Sequence, residues 1–431
     1  MVTKTRVACT AVLAALGTEV FAGDISAILK TQSAYGLAEH QTQQQELLLD
    51  VEYYRPLFRG DLTAITRVRL DRVDDLNHSS VPKTYSSIGG PIANGEAGTI
   101  ELREIYWEGA NTSTFWRLGK QQVVWGEADG LKLLDVINPQ NFREFILDDF
   151  DDSRIPLWMA NVEYSVSNNA LIQILWIPDT TTHDLAPAHS PFAFTSPALV
   201  PQPPPGQNVA VEEARAPGNL LKDSDAGMRF TNFTRGWDVS LNYLYHYVDA
   251  PVARVEVIAK QLSVSQEYER SHLLGGTASS VFNNWTLRAE LAYETDRYQR
   301  TLSAIPGVTK TDQWSTVIGL DWQGWTDQFI SLQWFQTTLV NSNEATINNR
   351  REDTGTFLWE SKFFNETLSF KWLHIFSLDH GDGVVQSKLS YNYSENIDIY
   401  AGADSFYGDR DGLYGQFKDA DRFRIGLEWG F

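Results

Sequence analysis

Apolar and polar side chains alternate through much of the chain, most clearly at its end. Phe423, Ile425, Leu427, Trp429 and Phe431 take every second place, with Arg422, Arg424, Gly426, Glu428 and Gly430 between them. Alternation puts successive side chains on opposite faces of a strand. One face is therefore apolar, and the other is charged or very small. The edge of a soluble sandwich could carry this pattern. Five large apolar residues at an extreme terminus, where disorder is usual, suit a strand between lipid and a wet lumen better. The same period recurs at 237–245, 285–293, 314–322, 368–376 and 385–393.

Membrane strands need about 9–11 alternating residues, joined by short turns on one side and longer loops on the other. Counted back from the C-terminus, the pattern predicts 421–431, 396–406, 384–394, 367–377, 355–364, 328–340, 311–322, 285–296 and 270–282. Further upstream it predicts 237–248, 224–234, 170–178, 156–166, 113–124, 98–108, 60–72, 44–56 and 26–36. Tight polar turns fall at Arg235-Gly236, Asn283-Asn284, Asn365-Glu366 and Ser394-Glu395. The expected fold is all-β, a transmembrane antiparallel up-and-down β-barrel of eighteen strands, or sixteen if the first hairpin or 270–282 fails. Residues 421–431 should then pair with 26–36 to close it, with both termini in the periplasm. A terminal Phe on such a strand also resembles the C-terminal signature of bacterial outer-membrane barrels. That resemblance implies that Phe423, Ile425, Leu427, Trp429 and Phe431 are read by the barrel-assembly machinery.

Interruptions of the pattern are as informative. Residues 73–97 read as a polar loop, and 249–269 as a weakly alternating hairpin arm. Residues 179–223, with Pro201 and Pro203-Pro204-Pro205-Gly206, read as a long exposed extracellular loop. Residues 125–156 are too apolar for a free loop, with Leu131, Leu133, Leu134, Val136, Ile137, Phe145 and Ile146. They are also too acidic to face lipid. A loop folded into the lumen satisfies both demands and narrows a pore. Its charges are Glu127, Asp129, Asp135, Arg143, Glu144, Asp148, Asp149, Asp151, Asp152 and Arg154. These are the candidate constriction or gating groups, since carboxylate rings favour cations and facing Arg side chains make a transverse field. An ion pair of Asp151 or Asp152 with Arg154 that merely fixes the loop would read the same. Asp129-Gly130 and Asn138-Pro139 read as turn chemistry.

The N-terminus reads as a Sec signal peptide over residues 1–22, followed by the barrel over 23–431. Lys4 and Arg6 precede the short apolar run Val7 to Gly17, and Val20-Phe21-Ala22 offers a cleavage site. Cys9 lies inside it and is the single cysteine, so the mature chain has no thiolate or disulfide chemistry. Mean hydropathy is −0.29, yet there are 14 Trp, 17 Tyr and 22 Phe. A barrel reconciles these by spreading apolar residues one in two and gathering aromatics into girdles. The net charge of −20 argues against nucleic acid as a partner, although it also serves plain solubility.

Motifs for catalysis or metals are weak. Asp379-His380-Gly381-Asp382-Gly383 and Gly408-Asp409-Arg410-Asp411-Gly412 resemble pieces of calcium loops without the full ligand spacing. His183, His189, His246, His272, His374 and His380 are scattered, and Ser271-His272 point to opposite strand faces. No cofactor and no enzyme activity are expected.

Three segments carry a more specific resemblance: Gly119 to Gly130, Asp135-Val136-Ile137-Asn138-Pro139, and Asp149-Phe150-Asp151-Asp152-Ser153-Arg154-Ile155-Pro156-Leu157-Trp158, together with Arg288 to Tyr293. They look like an uncharacterised domain-of-unknown-function family of proteobacterial outer-membrane proteins. Its members often occur beside RND-type (resistance-nodulation-division) permeases and a periplasmic partner. The resemblance implies a Gram-negative outer-membrane barrel in an envelope transport system for hydrophobic or lipid-like compounds. It assigns no residue a role. The expected function is passage of a solute across the outer membrane, with 125–156 as constriction. The alternative is a plugged barrel acting as a binding or assembly component of an export complex.

Overall fold

The computed structural model describes residues 23–431 apart from 74–75, 77–81, 96–97, 203–208, 213, 215, 259–260, 304 and 342–344. The expected signal peptide, Cys9 and Pro203–Pro205 lie outside the described residues. Eighteen antiparallel strands close into a barrel, and one further short strand, Ala93–Gly95, lies on the same sheet. In chain order the first nine are β1 (Asp24–Gly36), β2 (Gln41–Leu57), β3 (Gly60–Asp71), β4 (Gly98–Ala110), β5 (Thr114–Gln121), β6 (Leu157–Ser167), β7 (Ala170–Ile177), β8 (Asp225–Thr234) and β9 (Trp237–Tyr247). The other nine are β10 (Arg270–Phe282), β11 (Trp285–Arg300), β12 (Val308–Trp322), β13 (Gln328–Val340), β14 (Arg351–Phe363), β15 (Leu368–Ser377), β16 (Gly383–Ser394), β17 (Ile397–Tyr407) and β18 (Arg422–Gly430).

Each strand pairs with its sequence neighbours, and β18 pairs with β1 from Ile28↔Gly430 to Gly36↔Arg422. The seam expected from the terminal pattern is therefore present. Phe431 completes it: its N–H donates to Ala27 O at 2.9 Å, and its carbonyl accepts from Ala27 N–H at 2.7 Å. Closure leaves no unpaired edge, which is what allows a sheet to stand in an apolar medium.

Burial is inverted relative to a soluble domain. Phe423, Ile425 and Trp429 are exposed on the outside of β18, as are Trp285, Leu291, Trp314, Ile318 and Leu320 on β11 and β12. Arg67, Asn161, Glu290, Asp404 and Arg422 are buried inside. The period-2 pattern thus faces hydrocarbon outward and charge inward.

One end of the barrel carries short turns, including 58–59, 168–169, 235–236, 283–284 and 395–396. Arg235, Asn283 and Asn365 take positive φ there. The other end carries the long loops. Strands β11 and β12 run farther at that end than their alternation suggested, with a register break between Glu294 and Arg297. Residues 252–258 and 261–267 form the hairpin arm, joined by a parallel strand at Val209–Val211. The 179–223 segment is not exposed throughout. Asp179, Thr181, Thr182, Phe192 and Ser196 are buried, because this half packs into the barrel mouth.

Candidate functional site

Residues 122–156 leave β5, cross the lumen and return to β6. Their first half docks on one wall. Trp125 is fully buried, and its Nε1 donates to Gln173 Oε1 on β7 at 2.7 Å. Val123, Leu134 and Ile137 pack with it against Leu175 and Ile177 (β7), Leu244 (β9), Leu273 (β10) and Ala292 (β11). Two wall glycines make room. A Cβ at Gly227 would come 2.9 Å from the Trp125 ring, and one at Gly275 2.5 Å from Leu134 Cδ2. Glu290 on β11 accepts from the backbone N–H groups of Glu127 and Leu134. Arg288 donates to Glu127 O and pairs with Asp129.

The second half docks on the opposite wall. Phe145 and Leu147 pack with Ile375 (β15), Val384 (β16) and Phe406 (β17). Phe192 of loop 178–224 and Tyr414 and Phe417 of loop 408–421 complete that cluster. Glu144 Oε2 lies 2.7 Å from Arg422 Nη1 on β18, and its Oε1 accepts from Gln44 Nε2 at 2.9 Å. Arg143 pairs with Glu46 at 2.7 Å. Asp152 pairs with Arg67 at 2.6 Å and with Lys30 at 2.9 Å. Wall-to-wall docking holds the loop as a bridge.

The ten predicted charges divide into two groups. Glu127, Asp135, Arg143, Asp151 and Arg154 serve as anchors. Asp135 and Arg154 are buried against each other at 2.8 Å, and Arg154 also pairs with Asp151, whose carboxylate stays largely exposed. Glu127 turns toward Thr277 on β10. Asp129, Glu144, Asp148, Asp149 and Asp152 line a cavity of about 430 Å³ between the loop and the β1–β3 and β13–β18 walls, and of these Asp129, Glu144 and Asp152 also bind wall cations. Pairing within the loop and lining of the lumen both occur, and Glu144, which also pairs with Arg143 at 3.0 Å, does both.

Burial works against ionisation of Asp152, but Arg67 and Lys30 overcome it and hold its carboxyl well below the usual range. Burial likewise opposes Glu144, and Arg422 and Arg143 bring it below its ordinary value. Asp148 accepts no hydrogen bond and forms no ion pair among the described residues. Its burial, with Glu144 beside it, pushes it up to about 7. Burial pulls Lys132 down to about 8 against the attraction of Asp135.

Sequence reasoning missed the wall cations of the cavity, namely Lys30, Arg69, Lys371, Lys388, Arg422 and Arg424. Each sits on the polar face of a strand, which was the available signal. Asn138 exceeds the turn role read for it. Its Oδ1 accepts from Val123 N–H at 2.8 Å and its Nδ2 donates to Ile155 O at 3.0 Å, which latches the two ends of the loop. Gly130 has positive φ, as a turn glycine should. The weak motifs resolve into structural contacts. Asp382 accepts from Tyr414 and Gly415 N–H groups, Ser271 donates to Thr295 O, and His272 bonds the Tyr243 hydroxyl.

A family model described as "Protein of unknown function (DUF1302)" matches residues 74–431. No curated protein matches the chain. Among solved structures, Acinetobacter baumannii OccAB2 superposes with a TM-score of 0.54 at 10% identity, covering 96% of this chain and 99% of its own. Pseudomonas aeruginosa OccK11 (OpdR) gives 0.52 at 10% identity over 95% and 96%. Pseudomonas aeruginosa OccK5 (OpdH) gives 0.51 at 10% identity over 95% and 98%. At that identity the likeness establishes the shared barrel fold.

Proposed function

We propose, for a chain that belongs to the DUF1302 family of proteins of unknown function, that it is an outer-membrane channel. In this reading a solute passes along the lumen, and the loop at 125–156 forms the constriction. The observation that carries it is the bridge itself. The loop is bonded to both walls and leaves a charged cavity along one of them. Carboxylates of the loop (Asp148, Asp149) and cations of the wall (Lys388, Arg424) line that cavity, and Asp152 meets Lys30 at its side. Opposed charge across a narrow passage makes a transverse field that orients and sorts solutes. Selectivity then comes from size and charge, without a covalent step.

The short turns and both termini of the barrel, Asp24 and Phe431, lie on the periplasmic side in this reading, and the long loops lie outside. The signal peptide, recognition of Phe431 by the assembly machinery, and docking of an RND-type permease and a periplasmic partner on the turn end belong to the same proposal. A second reading, a barrel closed at its loop end that binds rather than conducts, is favoured by the packing of Phe145, Phe192, Phe406, Tyr414 and Phe417. Planar-bilayer recording separates the two. A channel shows single-channel steps that enlarge when 127–152 is deleted. Silence in both the intact and the deleted protein would remove the channel reading.

A further inference from the structure

The cavity wall contains an order that only the strand register reveals. Cα partners across adjacent strands run Phe329, Glu360, Lys371, Lys388, Gly402 and Arg424, from β13 to β18. All but Gly402 line the cavity. Lys371 and Lys388 therefore stand directly opposite each other, an arrangement of like charges that costs stability. Glu360 offsets Lys371 at 3.4 Å, and Asp404 offsets Arg424 at 3.1 Å. Lys388 forms no ion pair among the described residues, and its Nζ rests 4.5 Å from the Tyr400 ring centroid. The Nε of Arg424 is buried without a hydrogen-bond partner. Gly402 lies between these two cations. A Cβ there would sit 2.5 Å from Ser387 O and 3.2 Å from Arg424 Nε, so the glycine leaves room for the Arg424 side chain over β17.

The adjoining surface of the same cavity is apolar. Leu358 and Leu373 are Cα partners one row toward the loops, Phe329 begins the cationic row, and Ile146, Leu147 and Phe150 face in from the loop. A volume of about 430 Å³ falls within the range of small-molecule sites. Cations and hydrocarbon thus lie side by side along the wall, which matches a molecule divided in the same way.

We propose that this cavity binds a singly charged anionic amphiphile. Its oxyanion head lies among Lys371, Lys388 and Arg424, and its hydrocarbon body lies on Phe329, Leu358, Leu373 and Ile146. The head relieves the repulsion along the cationic row, and the body covers the partly exposed side chains of Phe329, Leu373 and Ile146. Asp148, Asp149 and Glu428, none of them in an ion pair among the described residues, line the same cavity and disfavour a head of higher charge. The inference rests on the reading of the lumen as a solute route and names the class of solute.

The test is calorimetric titration of the full-length barrel in lipid nanodiscs, with empty nanodiscs as blank. The probes are decanoate, butanoate and decyltrimethylammonium. Decanoate should bind above the blank, with butanoate and the cation at least about tenfold weaker. K388Q should weaken decanoate about tenfold, and K388R should retain it. The same shift in gel mobility on heating as in the unmodified protein would confirm that both variants fold. Equal affinity of K388Q and the unmodified protein, equal binding of the cation, or heats no greater than those of empty nanodiscs would overturn the proposal. Bilayer recording on the same preparations keeps the two readings apart. Decanoate binding without conductance sinks the channel and leaves the site standing. Conductance without decanoate binding does the reverse.

Discussion

Arg422, the first residue of the last strand, meets Glu144 of the lumen loop at 2.7 Å with both side chains about 1% exposed. Neither Arg422 Nη1 nor Glu144 Oε2 completes an aligned hydrogen bond there, so charge attraction carries the contact. Asp404 holds the other side of Arg422 at 2.9 Å. The seam strand that closes the barrel is thus also a strand that pins the lumen loop.

Breaking this pair should be costly. Glu144→Ala leaves Arg422 and Arg143 buried with less compensation, a change of about 3–5 kcal/mol for a buried pair. The expected outcome is a lower unfolding midpoint, read as the temperature at which heat-modifiable gel mobility is lost. An unchanged midpoint would show that the pair contributes nothing net.

Trp125 anchors the other end of the bridge. Trp125→Ala removes a fully buried ring and the bond to Gln173, a loss of about 3–5 kcal/mol in a packed core. That strain falls on the loop's dock more than on the strand ladder. Conductance should rise or grow noisier while the barrel still folds, and single-channel recording checks this.

Asp148 should make selectivity depend on pH. Its carboxyl, near 7, is faced by Glu144, Arg143, Arg69 and Asp152. The sign follows from the raised value. Neutral Asp148 prevails at acid pH, where its contribution to stability is complete. That contribution is lost as pH rises from the unfolded value through about 7. Over the same window a negative charge appears in the cavity, so cation preference should increase from about pH 6 to 8. Reversal-potential measurements should show this shift in the unmodified protein and a flat profile in Asp148→Asn.

Deleting Phe431 should affect assembly more than transport. It removes two backbone bonds to Ala27 and the last outward aromatic of the seam. The quantity of folded protein in outer-membrane fractions should fall, while any channel that does form conducts normally. Equal yields would argue that Phe431 carries no assembly signal.

How much of this was legible in the chain depends on distance along it. The faces of β18, the turns at Arg235-Gly236 and Asn283-Asn284, and the inward course of a loop both greasy and acidic all follow from neighbours in sequence. Which charges of that loop would anchor and which would face the lumen did not. Asp151 and Asp152 are adjacent, yet one pairs with Arg154 of the same loop and the other with Arg67 and Lys30 of the wall. No local pattern separates them, because the choice depends on which wall cation each can reach.

The sequence alone determined the strands, their inward and outward faces, and the closure of β18 on β1, because alternation is a property of successive residues and lipid enforces it. The tertiary structure alone decided what fills the lumen. It set Leu134 against Gly275, Glu144 against Arg422, and Lys371, Lys388 and Arg424 into one row across four strands. Register and loop docking bring together residues far apart in the chain, and the attraction or repulsion between their charges begins only once they meet.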